Sequence, residues 1–273
     1  MKKFILFLGL ISVSANIVLA GNDNYPSGGA AAGMSNAAVT IQNLWSVSHN
    51  QAGLAGLDKI AAGVFYDRRF NLEETSVKSF AFAIPVKKLG VFGGHLNMFG
   101  FSLYNEKKAG ISYARKFGEI VSVGVQLDYL SATIGEDYGS NNAIAVEGGL
   151  QVQLLEGLTA GAHIFNPTQA RLAEYDDERI PTIMKFGLGY KFSSKFLASV
   201  ESEKDIDNDA MFKAGLEYRP VEQIFIRGGI STNPVMNSFG AGFLIKNLQI
   251  DIAASMHQSL GWSPQMSLTY TFD

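Results

Sequence analysis

The stretch Val121-Ser122-Val123-Gly124-Val125-Gln126-Leu127-Asp128-Tyr129 alternates without a break between an apolar side chain and a small or polar one. A period of two puts every apolar member on one face of an extended chain, so this is a strand with two unlike faces. Ile144-Ala145-Val146-Glu147-Gly148-Gly149-Leu150-Gln151-Val152 repeats the pattern after a polar loop. So do Met184–Tyr190, Phe212–Tyr218, Ile224–Ile230, Phe239–Ile245, Leu248–Met256 and Met266–Phe272. Reading in both directions from these predicts about 14 strands of roughly 9 to 13 residues, the length of a tilted membrane strand. They begin near residues 58, 76, 89, 107, 120, 142, 158, 180, 195, 210, 222, 237, 248 and 263.

The connections alternate in length. Tight turns fall at Lys87-Lys88, Phe117-Gly118-Glu119, Leu155-Glu156-Gly157, Ser193-Ser194, Arg219-Pro220 and Lys246-Asn247. Longer polar loops fall at 69–75, 132–141, 167–179, 203–209, 231–236 and 258–262, and only the connection near Asn105-Glu106 is short where a long one is due. Short turns on one side and longer loops on the other, with an apolar face nearly free of charge, are the pattern of an outer-membrane barrel. A soluble β-sandwich also alternates, but its apolar face is an interior and one domain runs to about 100 residues. Phe192, Phe196, Tyr218 and Phe272 gather at the short-turn ends, as an interfacial girdle does. The expected fold is therefore all-β: a transmembrane antiparallel β-barrel of about 14 strands, with a short N-terminal helical or coil plug and outer-membrane lipids around it.

The 273 residues contain no cysteine, which excludes a disulfide framework, thiolate metal sites and a lipid-bearing cysteine anchor. The net charge of −3 shows no basic stripe of the kind that binds nucleic acid. Lys2 and Lys3, the apolar run Phe4–Val18 and the closing Ala20 mark residues 1–20 as a cleaved signal peptide. Residues 21–56 lack alternation and form the expected plug of the periplasmic mouth; the barrel follows over 57–273. His49, His95, His163 and His257 are scattered, no metal, elbow or phosphate-loop motif occurs, and neither an enzyme nor a cofactor is expected.

The polar faces of the strands carry Asp128, Glu147, Lys185, Glu201, Lys213, Glu217, Arg227 and Asp251. These are expected to point inward and form a network that fills the lumen, with Glu217 and Arg227 paired across the Arg219-Pro220 turn. The alternative is a polar path for a solute. His163 is expected inward too, as a hydrogen-bonded filler. The third strand is unusual, because Phe92, Gly94, Leu96 and Met98 share one face while Phe99, Phe101 and Leu103 share the other. That slip, with Gly93-Gly94 before it, predicts a β-bulge that either bends the wall or opens a lateral gap.

The run from Ala30 to Leu57 resembles the N-terminus of PorV/PorQ-type proteins, relatives of the FadL fatty-acid transporters. Small residues precede an Asn-Pro-Ala-Gly-Leu box in those families; here it reads Asn50-Gln51-Ala52-Gly53-Leu54, after Leu44-Trp45-Ser46-Val47 and His49. Asn166-Pro167-Thr168 is similar to a further element of the PorV/PorQ group. The resemblance implies a 14-stranded barrel with an N-terminal hatch. It also implies a scaffold or shuttle associated with type IX-like secretion, whose partners are secretion-machinery proteins. The FadL side of the resemblance implies instead a channel for a hydrophobic ligand.

Overall fold

The computed structural model describes residues 24–135, 139–172 and 180–273, so the predicted signal peptide and part of the 167–179 loop lie outside it. The strands are β1 (Ala61–Arg68), β2 (Ser76–Val86), β3 (Gly90–Gly100), β4 (Tyr104–Phe117), β5 (Val121–Ile134), β6 (Gly139–Leu155) and β7 (Leu158–Phe165). They continue as β8 (Ile183–Ser193), β9 (Phe196–Asp205), β10 (Met211–Val221), β11 (Ile224–Ser231), β12 (Met236–Ile245), β13 (Leu248–His257) and β14 (Gly261–Thr271). Each pairs antiparallel with its neighbours in the chain, and β1 pairs with β14 from Ala61↔Thr271 to Asp67↔Gln265. The sheet closes on itself as a 14-stranded barrel. Closure leaves no row of unpaired backbone groups, which is what a hydrocarbon environment demands.

Every strand begins within three residues of its expected position. The largest departure is length. β5 and β6 continue through the stretch read as a loop, pairing as far as Thr133↔Ser140 and Ile134↔Gly139. Polar strand residues beyond an apolar belt look like loop because nothing there requires an apolar partner. The expected bulge in β3 is absent. β3 pairs in unbroken register with β2 from Val86↔Gly90 to Val77↔Phe99, and with β4 from Val91↔Ala114 to Gly100↔Asn105. Phe99 is simply an inward residue, stacked on Tyr25 at 4.4 Å, and the chain leaves the strand through Gly100 at φ 96°. Gly93 faces inward beside Leu54 and Ser112, while Gly94 faces outward beneath the ring of Phe82.

The outward face is an apolar belt that includes Phe80, Leu96, Ile111, Leu127, Leu188, Ile226, Phe239 and Ile252, all exposed. Ile111, in the middle of β4, is 75% exposed. Such a surface is costly in water and at rest in lipid. At the short-turn end Tyr190, Phe192 and Phe196 form one aromatic cluster and Tyr270 and Phe272 another.

Residues 25–54 lie largely buried inside the wall, and 58–60 are exposed where the chain enters β1. The segment before β1 includes two single-turn helices, α1 (Gly29–Ala32) and α2 (Ser46–His49), and a 3-10 segment, Gln51–Gly56. Asn43 does not cap the second helix: Ser46 Oγ accepts from the Asn43 amide at 3.2 Å and donates to the Ile41 carbonyl at 2.8 Å. Leu44, Trp45, Val47 and Leu54 pack on inward residues of β1 to β4, including Phe65, Val77, Ala81 and Val91.

Candidate functional site

Room for this segment is made by glycines on the inward parity of the strands. A Cβ at Gly161 would lie 2.6 Å from the Val39 carbonyl oxygen, and one at Gly215 2.6 Å from Met34 Cβ. At Gly124, Gly149 and Gly229 it would overlap Ala52, Asn50 and Met34 outright. A segment that presses its backbone against the wall needs bare backbone opposite.

Inward polar groups then satisfy the segment's donors and acceptors. Glu201 Oε2 accepts from the amides of Ala38 and Val39 at 2.9 and 2.8 Å. Asn50 donates to the carbonyls of Val39 and Leu150 at 2.7 and 3.1 Å, and its Oδ1 accepts from the Ala52 amide. Gln51 donates to Glu147 at 2.5 Å, and Trp45 Nε1 donates to Thr269 Oγ1 at 3.1 Å. Gly29 donates to Ser267 Oγ at 3.0 Å, and Ser35 Oγ to Ser238 Oγ at 3.0 Å. His49 lies 2.9 Å from the Ser27 carbonyl. Burial, with the charge of Lys185 acting in the same sense, holds its pKa down at about 3. The imidazole is therefore neutral, and its Nε2 is the donor.

All eight charged residues expected in the lumen face inward, in three separate clusters. Glu147 pairs with Lys108 and His163, and Lys108 also lies 3.7 Å from Asp128. Lys213 bridges Glu201 at 3.1 Å and Glu203 at 2.6 Å, and Lys185 lies 3.4 Å from Glu203. Arg227 joins Glu217 at 2.6 Å to Asp251 at 2.7 Å, with Glu217 and Arg227 in direct register. Lys108 and Glu203 were missed, although both sit on the inward parity of their strands. Lys108 stands at the start of a strand read from residue 107, beside Lys107 of the opposite parity, and Glu203 opens the stretch read as the 203–209 loop. His163 is a filler on Glu147, as expected.

The segment runs between both ends of the lumen. Tyr25 lies at the long-loop end against Phe99 and Arg69, and Trp45 bonds at the short-turn end of β14. It is not confined to the short-turn mouth. Two cavities flank it: one of about 550 Å³ towards the short turns and one of about 610 Å³ towards the long loops. Ala30, Ala31 and Met34 line the first; Ser35 and Asn36 line the second. Residues 30–36 thus contribute to the lining of both. Met34 rests on Gly215 and Gly229, and Ser35 and Asn36 hold left-handed φ of 52° and 57°, a conformation that costs an L residue about 1 kcal/mol or more.

Asn166 is fully buried at the end of β7 and ties Ala170 to Ile180. It accepts from the Ala170 amide at 2.9 Å and donates to the Ile180 carbonyl at 2.9 Å. Leu172 and Ile180 pack inward on Leu130, Ala132 and Ala145.

No family model and no protein of curated function matches the chain in sequence. In structure it is similar to a Pseudomonas aeruginosa FadL homologue, with TM-score 0.68 and 13% identity over 91% of this chain and 99% of that one. It is also similar to the Pseudomonas putida toluene transporter TodX, at 0.65 and 11% over 92% and 99%. The CymD monoaromatic hydrocarbon channel follows, at 0.64 and 13% over 90% and 97%. At these identities the likeness is one of fold: a closed 14-stranded barrel.

Proposed function

We propose that this chain is an outer-membrane channel of FadL-like kind that passes small hydrophobic molecules, with residues 24–57 as its plug and the layer at residues 30–36 as the gate. The observation that carries the reading is the pair of cavities, towards opposite ends of the lumen, that residues 30–36 help to line. On this reading, displacing residues 30–36 would join the two, and none of these residues belongs to a strand. The likeness of fold to hydrocarbon channels supports this choice of cargo over a secretion scaffold. So does the burial of the box that suggested a scaffold. Leu44, Trp45, Asn50 and Gln51 are all at or below 2% exposed, and their contacts are with the barrel and with their own segment, so they offer no surface to a partner protein.

The test exploits the absence of native cysteines. Ser35 Oγ and Ser238 Oγ are 3.0 Å apart, so S35C/S238C should oxidise to a disulfide that locks the gate to the wall. Cells carrying the oxidised variant should take up a monoaromatic hydrocarbon no faster than cells lacking the protein, and reduction should restore uptake. Undiminished uptake through the oxidised, correctly folded variant would refute the gate. A stable protein partner recovered from membranes in mild detergent, with no dependence of uptake on the protein, would restore the scaffold reading.

A further inference from the structure

The two cavities differ in charge. Arg69, Lys185 and Lys213 face Glu203, Asp205 and Asp209 around the long-loop cavity, a balanced set. Around the short-turn cavity Lys191, Lys195, Arg219 and Arg227 face a single lining carboxylate, Glu217. Arg227 is neutralised by Glu217 and by Asp251 behind it. Lys191, Lys195 and Arg219 make no ion pair among the described residues. In a chain of net charge −3, three unpaired cations on one wall of one cavity are a concentrated feature.

Arg219 is the most constrained of the three. Its backbone amide donates to the Lys195 carbonyl at 2.7 Å, and its guanidinium lies 4.4 Å from the centroid of the Phe225 ring. Its Nε is buried with no hydrogen-bond partner. A guanidinium held on an aromatic ring is pre-organised for a carboxylate or phosphate. Ile41 and Leu197, both half-buried, add apolar surface to the same cavity. At about 550 Å³ it falls in the range of small-molecule sites.

We infer that the short-turn cavity is a binding site for a small amphipathic anion, an aromatic or short aliphatic carboxylate, with Arg219, Lys191 and Lys195 taking the charge and Ile41 and Leu197 the apolar part. The site stands independently of whether solute crosses the gate, because the cavity opens to the short-turn side and needs no movement of residues 30–36. A negative ligand is drawn in by a field that added salt screens within about 10 Å at 0.1 M.

Calorimetric titration of the full chain in neutral detergent with benzoate tests the inference, with benzylamine and toluene as isosteres of other charge. Benzoate should bind saturably, benzylamine should not bind, and toluene should bind at least tenfold more weakly. R219Q and, separately, K191Q/K195Q should each weaken benzoate about tenfold, while D209N at the opposite cavity should change nothing. K191Q/K195Q guards against loss of fold in R219Q, since both lysines are exposed. Equal binding of toluene and benzoate, or benzoate binding unaffected in both variants, overturns the site. Because binding is read at equilibrium, loss of hydrocarbon uptake with benzoate binding intact would count against the channel alone.

Discussion

At the residue scale, the lumen is held by groups that have no water to fall back on. Glu147 is fully buried and serves Lys108, His163, Gln51 and Gln126 together. Removing it leaves the Lys108 ammonium with only Asp128 at 3.7 Å and Asn24 at 3.0 Å. Breaking one side of a buried pair typically costs about 3 kcal/mol or more. E147A should therefore lower the denaturant midpoint of the detergent-folded protein by a corresponding amount, and E147Q by less, since the amide still offers an acceptor to Gln51. His49 gives a pH signature of the opposite origin. The unfolded imidazole takes up a proton below 6.5, whereas the folded one resists until about 3. Its folded pKa is depressed, so the segment's hold is full above 6.5 and weakens as pH falls through that window. Acrylamide quenching of Trp45 should rise between pH 6.5 and 3, and H49Q should flatten the rise. The same slope in H49Q would assign it to other groups.

At the element scale, alternation was enough to find every strand, because a wall between lipid and a polar interior must change character at each residue. What fills that interior was legible only in part. The eight inward charges followed from parity, but a glycine in an alternating strand is silent about what lies opposite it. Gly124, Gly149, Gly161, Gly215 and Gly229 read as neutral members of a polar face until Ala52, Asn50, Val39 and Met34 are seen pressed against them. Their recurrence on one parity was the available signal. The β3 bulge failed for a related reason: Phe99 is an aromatic residue that faces inward because Tyr25 is there to receive it. The outward belt makes a sharper claim. Ile111 sits at the middle of β4, and I111R places a cation where Arg or Lys costs about 2–4 kcal/mol in a lipid-facing barrel wall. Unfolding from liposomes should register that loss, whereas arginine at the exposed Glu119 turn should not. Equal stability of the two would place the belt outside the membrane.

At the scale of the whole molecule, the barrel has a direction. The short turns at 87–89, 118–120, 194–195 and 246–247 lie on the side where β1 begins and β14 ends. If that side is periplasmic, a cysteine at Asp209, exposed among the long loops, should react with a membrane-impermeant label in intact cells. One at Glu222, exposed in the β10–β11 turn, should react only after the outer membrane is breached. Reversed labelling would invert the two cavities and place the cationic one outside. The N-terminal segment sets a further condition, one of timing. Gly29 bonds to Ser267, 238 residues later, and Trp45 bonds to Thr269. Contacts of such separation are late ones in folding. The N-terminal segment therefore finds these partners only when the final strand is in place. A soluble globule gathers its interior and then trims its surface. Here the interior is completed only once β14 supplies Ser267 and Thr269 to the N-terminal segment.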